Sequence, residues 1–337
     1  MRIGVNVGHF AGRPPPDLAA RLQEIDAAGF SSVWFAEAYG SDVFTPLAYA
    51  AALTSRVRLG TAVAQVPART PAATAMAAMT LDHLSGGRVV LGLGASGPQV
   101  SEGWHGAPYA RPLARTREYV SVVRQVLARE APVSNDGEYF PLPSPGSELG
   151  KPLRSSLHPY RASLPVLLGA EGPRNIALSA EVADGWLAMF FAPAFDGFYR
   201  EALDEGFARR GGRPEGFEVV ATVPVVLDDD VDRAADRVRP ELALYMGGMG
   251  ARGANFHHDV FVRMGYESVA ARVQELYLDR RKDEAAAAIP TELVEQVALI
   301  GPVGKVRRDL DRWESTVVDE IAVQGLPDDV SAVARLL

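Results

Sequence analysis

The 337 residues carry 34 basic against 42 acidic side chains, a formal charge of −8, with 47% hydrophobic and 23% charged residues and no cysteine. A chain of this length and composition buries a full core, and its acidic balance argues against a nucleic-acid surface, which needs clustered positive charge. The lack of cysteine rules out disulfides, a thiolate nucleophile and cysteine-ligated metal centres; no apolar run is long enough to span a bilayer, and no basic leader precedes one, so a cytoplasmic placement is expected.

The chain opens on an apolar run at 3–7 that reads as a strand. An amphipathic segment follows at 17–28, started after Pro16 and stopped by Gly29. The alternation then repeats. Strands are predicted at 33–36, 57–63, 89–93, 165–169, 185–189, 219–227 and 320–324, and helices at 46–54, 71–84, 115–128, 173–183, 195–210, 231–245 and 303–315. The runs at 89–93 and 165–169 are apolar throughout, as strands buried on both faces must be. Eight strand–helix units predict a closed parallel (β/α)8 TIM barrel, one domain over 1–337. Two connections are too long for plain crossovers: about 94–164, with a Pro/Gly/Ser-rich stretch at 141–150, and about 228–319, with helical patterns at 266–279 and 290–298. They follow the fourth and seventh strands and so lie on the C-terminal face, where barrel sites are built.

Candidate site residues fall at the same strand ends. Asn6 ends the first strand and His9 follows it; Glu37 closes the second, in Trp34-Phe35-Ala36-Glu37. An acid at a C-terminal barrel strand end points to the site, whereas on an unrelated surface it would be solvated. The third strand ends in small residues, Gly60-Thr61-Ala62-Val63-Ala64-Gln65, as a flat ring packed against backbone requires.

Gly92-Leu93-Gly94-Ala95-Ser96-Gly97 satisfies G-x-G-x-x-G, but Pro98 and Gly103 follow it and no acidic strand end lies about 20 residues on. A dinucleotide fingerprint is therefore not expected. The glycines instead let a flat ligand approach, or serve a tight turn. In the excursion beyond, His105 stands between glycines and Trp104, with Glu102 nearby; a histidine there can donate a proton near neutral pH or act as a structural hydrogen-bonding residue.

Gly169-Ala170-Glu171-Gly172-Pro173-Arg174-Asn175 leaves the fifth strand and enters a helix. Backbone N–H groups and the helix dipole converge there, and Arg174 adds a cation suited to phosphate. His257-His258-Asp259 offers no third ligand at metal-binding spacing, so no metal site is expected. No nucleophile elbow, Walker loop or H-E-x-x-H occurs.

These residues resemble the luciferase-like monooxygenase superfamily, and within it the coenzyme F420-dependent oxidoreductases of actinobacterial type. The resemblance rests on 33–37, 59–65, Leu81-Asp82-His83-Leu84-Ser85-Gly86-Gly87-Arg88, 92–106 and 169–186, and on a tail through 245–250, 281–284 and 300–302. It implies a TIM barrel, a homodimer and a non-proline cis peptide at Ala62–Val63 behind the cofactor ring. It also implies a phosphate turn at Gly172, Pro173, Arg174 and Asn175, and Glu37 beside the ring. Asn6, Gln65, Gly94, Ala95 and Ser96 complete the expected cofactor contacts, and Glu37, His105 and His9 are the candidate catalytic groups. F420 is the expected cofactor, with FMN as the alternative. The expected function is hydride transfer to or from a small organic substrate; an FMN-dependent monooxygenase and a non-catalytic flavin-binding barrel are the alternatives. Relatives that oxidise glucose 6-phosphate carry a histidine directly after the acid and a glutamate after the fourth strand. Here those places are Ala38 and Gly97, so that acid–base pair is missing.

Overall fold

The computed structural model describes residues 1–336 except 251, 252, 254 and 328. Its first quarter runs β1 (Arg2–Gly8), α1 (Leu18–Ala28), β2 (Ser32–Phe35), α2 (Phe44–Leu53), β3 (Arg58–Thr61), β4 (Ala64–Gln65) and α3 (Pro71–Ser85). Then come β5 (Val89–Gly94), α4 (Pro98–Gly103), α5 (Pro112–Ala128), β6 (Val166–Gly169) and α6 (Pro173–Val182). β7 (Gly185–Met189), α7 (Asp196–Arg210), β8 (Glu218–Val223), β9 (Val225–Leu227) and α8 (Val231–Ala243) follow. The chain ends with α9 (Phe256–Arg263), α10 (Glu267–Leu278), α11 (Lys282–Ala287), α12 (Thr291–Val297), β10 (Leu299–Gly301), α13 (Val303–Glu314), β11 (Glu320–Gln324) and α14 (Val330–Ala334).

The strands pair in parallel in the order β3-β2-β1-β11-β8-β7-β6-β5-β4, and β3 also pairs β5, which closes the ring. β3 and β4 are one stave interrupted at Ala62–Val63, whose peptide is cis, so the barrel has eight staves. The seventh predicted strand is divided in the same way. Pro224 has no N–H to give the ladder, and beyond it β9 leaves the barrel to pair with β10.

Side-chain alternation sorts the strand residues into two cores. Trp34, Val90, Leu167, Leu187, Val220 and Ala322 point inward and form one buried cluster inside the barrel. Their strand neighbours, among them Phe35, Leu91, Val166, Trp186, Val219 and Val323, point outward against the helices. Trp34 fills the interior so fully that a Cβ on Gly60 would lie 2.0 Å from its ring. Its indole N–H donates to Ser32 at 2.6 Å and Glu320 at 3.1 Å. Below it, Arg58 bridges Glu218 and Glu320 at 2.9 Å each. Burial pushes the Glu218 carboxyl up, but Arg58 and Arg2 more than offset this and hold it below its ordinary value. The N-terminal end of the barrel is thus sealed by ion pairs, and only the C-terminal end is available to a ligand.

Helix boundaries follow local chemistry. Thr70 caps α3 by accepting the Ala73 N–H, Pro71 occupies its first turn, and Gly86 closes it in the left-handed region. The long connection after β9 folds as a helical layer, α8 to α12, with its own core around Leu242, Met246, Phe261 and Leu293, and Phe190 from the barrel rim is buried in it. The glycine-rich turn after β5 does open a helix, α4, but that helix is only six residues long and sits on a barrel, not an open dinucleotide sheet.

Candidate functional site

Val63 is the centre of the C-terminal mouth. A Cβ on Gly94 would lie 2.4 Å from its Cγ2, and one on Gly169 would lie 2.9 Å from its Cγ1. Any residue larger than glycine at the ends of β5 or β6 would therefore displace Val63. Ala62 and Val63 pack on the interior cluster from above and remain half-buried, which leaves their upper side to the mouth.

Glu37 is buried and fully engaged. Arg69 grips it with two hydrogen bonds of 2.6 and 2.8 Å, and the backbone N–H groups of Gln65 and Val43 donate to it at 2.8 and 3.2 Å. A bidentate guanidinium and two N–H donors hold a carboxylate in place as a brace. Gln65, braced in this way, accepts at its Oε1 a 3.0 Å hydrogen bond from His105 Nε2. The structure therefore joins three of the sequence candidates, Glu37, Gln65 and His105, in one chain of contacts. His9 stands apart: it is exposed on the turn beside Gly40. Glu102 is exposed and accepts the Tyr109 N–H at 3.2 Å, which shapes the loop. Trp104 is exposed as well.

On the opposite rim, the buried Asn6 donates to Thr222 Oγ1 at 3.0 Å and accepts the Gly8 N–H at 3.1 Å. It is in register with Gln324 at the end of β11. Gln324 in turn donates to Glu241 of α8, an acid that pattern reading passed over as an ordinary helix residue. Glu241 has no cationic partner among the described residues, and burial alone pushes its carboxyl above the ordinary range. A raised folded-state value means that its contribution to stability is present below the unfolded carboxylate pKa, near 4.3, and is lost as pH rises through the folded one. Glu241→Gln is thus expected to melt higher than the parent at neutral pH, with the gap closing toward pH 4. Equal melting temperatures at both ends of the range would show that the carboxyl is not destabilised by its burial.

The turn into α6 has Gly172 at its N-cap and Pro173 in its first turn, with open space where a Gly172 Cβ would be. Arg174 is exposed and Asn175 is half-buried; the Asn175 N–H donates to the Gly172 carbonyl at 3.0 Å and Pro173 has none, so of the first-turn N–H groups that of Arg174 is left without a partner within the helix. The preceding residue, Glu171, is paired with His257 of α9 at 2.7 Å, and Arg263 donates to the Glu171 carbonyl at 3.0 Å. His257 is buried among Phe190, Tyr245 and Phe256. No local pattern marks this clamp, because its two halves lie 86 residues apart. Ala95 and Ser96 are half-buried past β5, and Ser96 takes a positive φ of 63°.

A cavity of about 330 Å³ adjoins the mouth, between the turn at 66–70 and the loop that joins α4 to α5. Beneath it the Tyr119 hydroxyl donates to the Arg69 carbonyl at 3.1 Å and shares a bond with Thr74.

A profile described as luciferase-like monooxygenase matches residues 1–320. The chain is 51% identical to a Mycobacterium tuberculosis protein named, provisionally, a coenzyme F420-dependent oxidoreductase, over 100% of this chain and 99% of that one. It is 34% identical to a 5,10-methylenetetrahydromethanopterin reductase of Archaeoglobus fulgidus, over 66% of this chain and 63% of the relative. Among solved structures, the coenzyme F420-dependent tetrahydromethanopterin reductase of Methanopyrus kandleri superposes with a TM-score of 0.82 at 20% identity, covering 100% of this chain and 99% of its own. An F420-dependent secondary alcohol dehydrogenase gives 0.78 at 16% identity, covering 100% and 98%.

Proposed function

The chain belongs to the luciferase-like monooxygenase family, and on that premise we propose that it is an oxidoreductase that binds coenzyme F420 and passes hydride between the deazaflavin and a small organic substrate. One observation carries this reading: Val63 stands over two strand-end glycines whose Cβ atoms would displace it, so the mouth presents a shallow seat shaped by backbone. Such a seat suits a planar ring. The α6 turn supports the same fit, since Gly172, the Arg174 backbone and the Arg174 side chain offer donors to a phosphate. When bound, the deazaflavin supplies two-electron hydride chemistry at a ring carbon.

The chain's own residues then have three tasks. Val63 with Gly94 and Gly169 sets the height of the ring. Ala95, Ser96 and Gln65 offer polar groups at its edge, and Asn6 does so from the far rim. His105, held by Gln65, is the group best placed to hold or move a proton at its imidazole. Glu37 is assigned to positioning, because its oxygens are occupied by Arg69 and two backbone donors. His9, exposed on its turn, is assigned no proton step. Glu241, whose carboxyl burial raises above its ordinary range, lies beside Gln324 on the opposite rim. We further propose a homodimer in the cytoplasm. Its support is the large exposed apolar side chains of α2 and α3, Tyr49, Met76 and Leu84, with Tyr160 nearby on the His83 edge.

Titration with F420 and, separately, with FMN, followed by tryptophan quenching, tests the cofactor. Tighter binding of F420 is expected, and Arg174→Ala should weaken it about tenfold, the loss of one charge-assisted contact. Unchanged affinity in that variant would sink the phosphate assignment. Preference for FMN with oxygen uptake would return the monooxygenase alternative, and binding without turnover across a broad substrate panel would return a non-catalytic barrel.

A further inference from the structure

We propose that the cavity beside the barrel mouth is a subsite for the apolar, carboxylate-ended tail of the substrate. Its service to a substrate rests on the oxidoreductase reading above; its affinity for such a ligand does not. The walls are apolar: Val66, Pro67, Ala68 and Ala95 on one side, Pro108 and Phe140 on the other. Val66 and Ala95 are the first residues past β4 and β5, so the cavity begins where the strand ends that carry the Val63 seat leave off. Among the described residues, neither Val63 nor the α6 turn lines it, and it meets the expected ring position at Ala95 alone. At about 30 Å³ for a water-sized group, 330 Å³ holds on the order of ten heavy atoms.

Charge decides what terminates the chain. Two guanidiniums line the cavity. Arg69 is neutralised by its bidentate pairing with Glu37. Arg115 has no carboxylate partner among the described residues: its Nε donates to the Ala110 carbonyl at 3.0 Å, and its guanidinium lies 4.6 Å over the Tyr139 ring. The nearest acid along the helix, Glu118, is spent on the backbone N–H groups of Tyr139 and Phe140 and on Asn135. The terminal amines of Arg115 are thus oriented but unclaimed, a partly desolvated cation suited to a carboxylate. An apolar channel with one such cation accepts a fatty-carboxylate chain and rejects an alkylammonium.

Calorimetric titration of the full chain with decanoate, decan-1-ol and decylamine tests this. Decanoate is expected to bind with unit stoichiometry, decanol at least about tenfold more weakly, and decylamine not at all. Ala107→Trp, which places an indole in the cavity, should abolish decanoate binding. Arg115→Met should lower decanoate affinity about tenfold and leave decanol unchanged. Both variants should keep the parental F420 affinity. Equal affinity for decanoate and decanol, parental binding in Ala107→Trp, no heat with decanoate, or a loss of F420 affinity in Arg115→Met would each overturn the subsite. If decanoate behaves as expected while F420 fails to bind the parent, the cofactor reading falls and the pocket stands.

Discussion

Arg69→Met is expected to destabilise the protein by roughly 3–5 kcal/mol, because it removes the cation that pairs bidentately with the buried Glu37 carboxylate. The Glu37 side chain is 4% exposed, so water cannot replace the lost partner. The damage should also reach the ligand. Glu37 holds the Gln65 N–H, and Gln65 holds His105. A loosened or protonated Glu37 releases that chain of contacts, so cofactor affinity is expected to fall together with the melting temperature. Adding Glu37→Gln should recover part of the stability, since a neutral amide is cheaper to bury than an unpaired charge, but should not recover the cofactor affinity, because one carboxylate oxygen is lost to the brace. A melting temperature equal to the parent's in Arg69→Met would mean that Glu37 does not need its counter-ion.

Gly94→Ala is the second change with a large expected effect. Its new Cβ would sit 2.4 Å from Val63 Cγ2, a separation that packed atoms do not tolerate. Overpacking of this kind costs roughly 1–3 kcal/mol, and here the side chain that must move is Val63, the proposed ring seat. Cofactor affinity is expected to fall at least about tenfold. The companion variant, Val63→Ala with Gly94→Ala, removes both Cγ atoms and leaves only a 3.2 Å approach to the Val63 Cβ. It should recover most of the melting temperature while binding the cofactor more weakly than the parent, since the seat has changed shape. Recovery of neither property would place the fault of Gly94→Ala in the strand and not in the Val63 contact. Parental affinity in the single variant would remove Val63 from the site.

Much of the architecture is written in local chemistry. Apolar runs of four to nine residues between amphipathic segments are strands buried on both faces, and eight of them in alternation leave a closed parallel barrel as the simple solution. Strand ends at Asn6, Gln65 and Gly94 and the turn at Gly172 could be marked as site positions for the same reason: the C-terminal face of a barrel is fixed by chain direction. Two boundaries were less legible. Pro224 sits inside a continuous apolar run, and the pattern alone did not reveal that the run divides there between the barrel and a separate two-stranded pair. The helix α4 is too short to carry a periodic signal.

What the sequence determined by itself is therefore the fold, the face that carries the site and the residue types at the strand ends, because all three depend on side-chain period and chain direction. The tertiary structure alone decided what those residues do. Glu37 reads as a site acid, and its role as a brace is visible only where Arg69, 32 residues away, grips it; His257 reads as structural or solvated until Glu171 meets it; and nothing in the pattern singles out Glu241, which Gln324 and burial set apart. A carboxylate's role is set by the charges and donors within a few ångströms of it, and those neighbours are assembled by the closure of the barrel, not by their order in the chain.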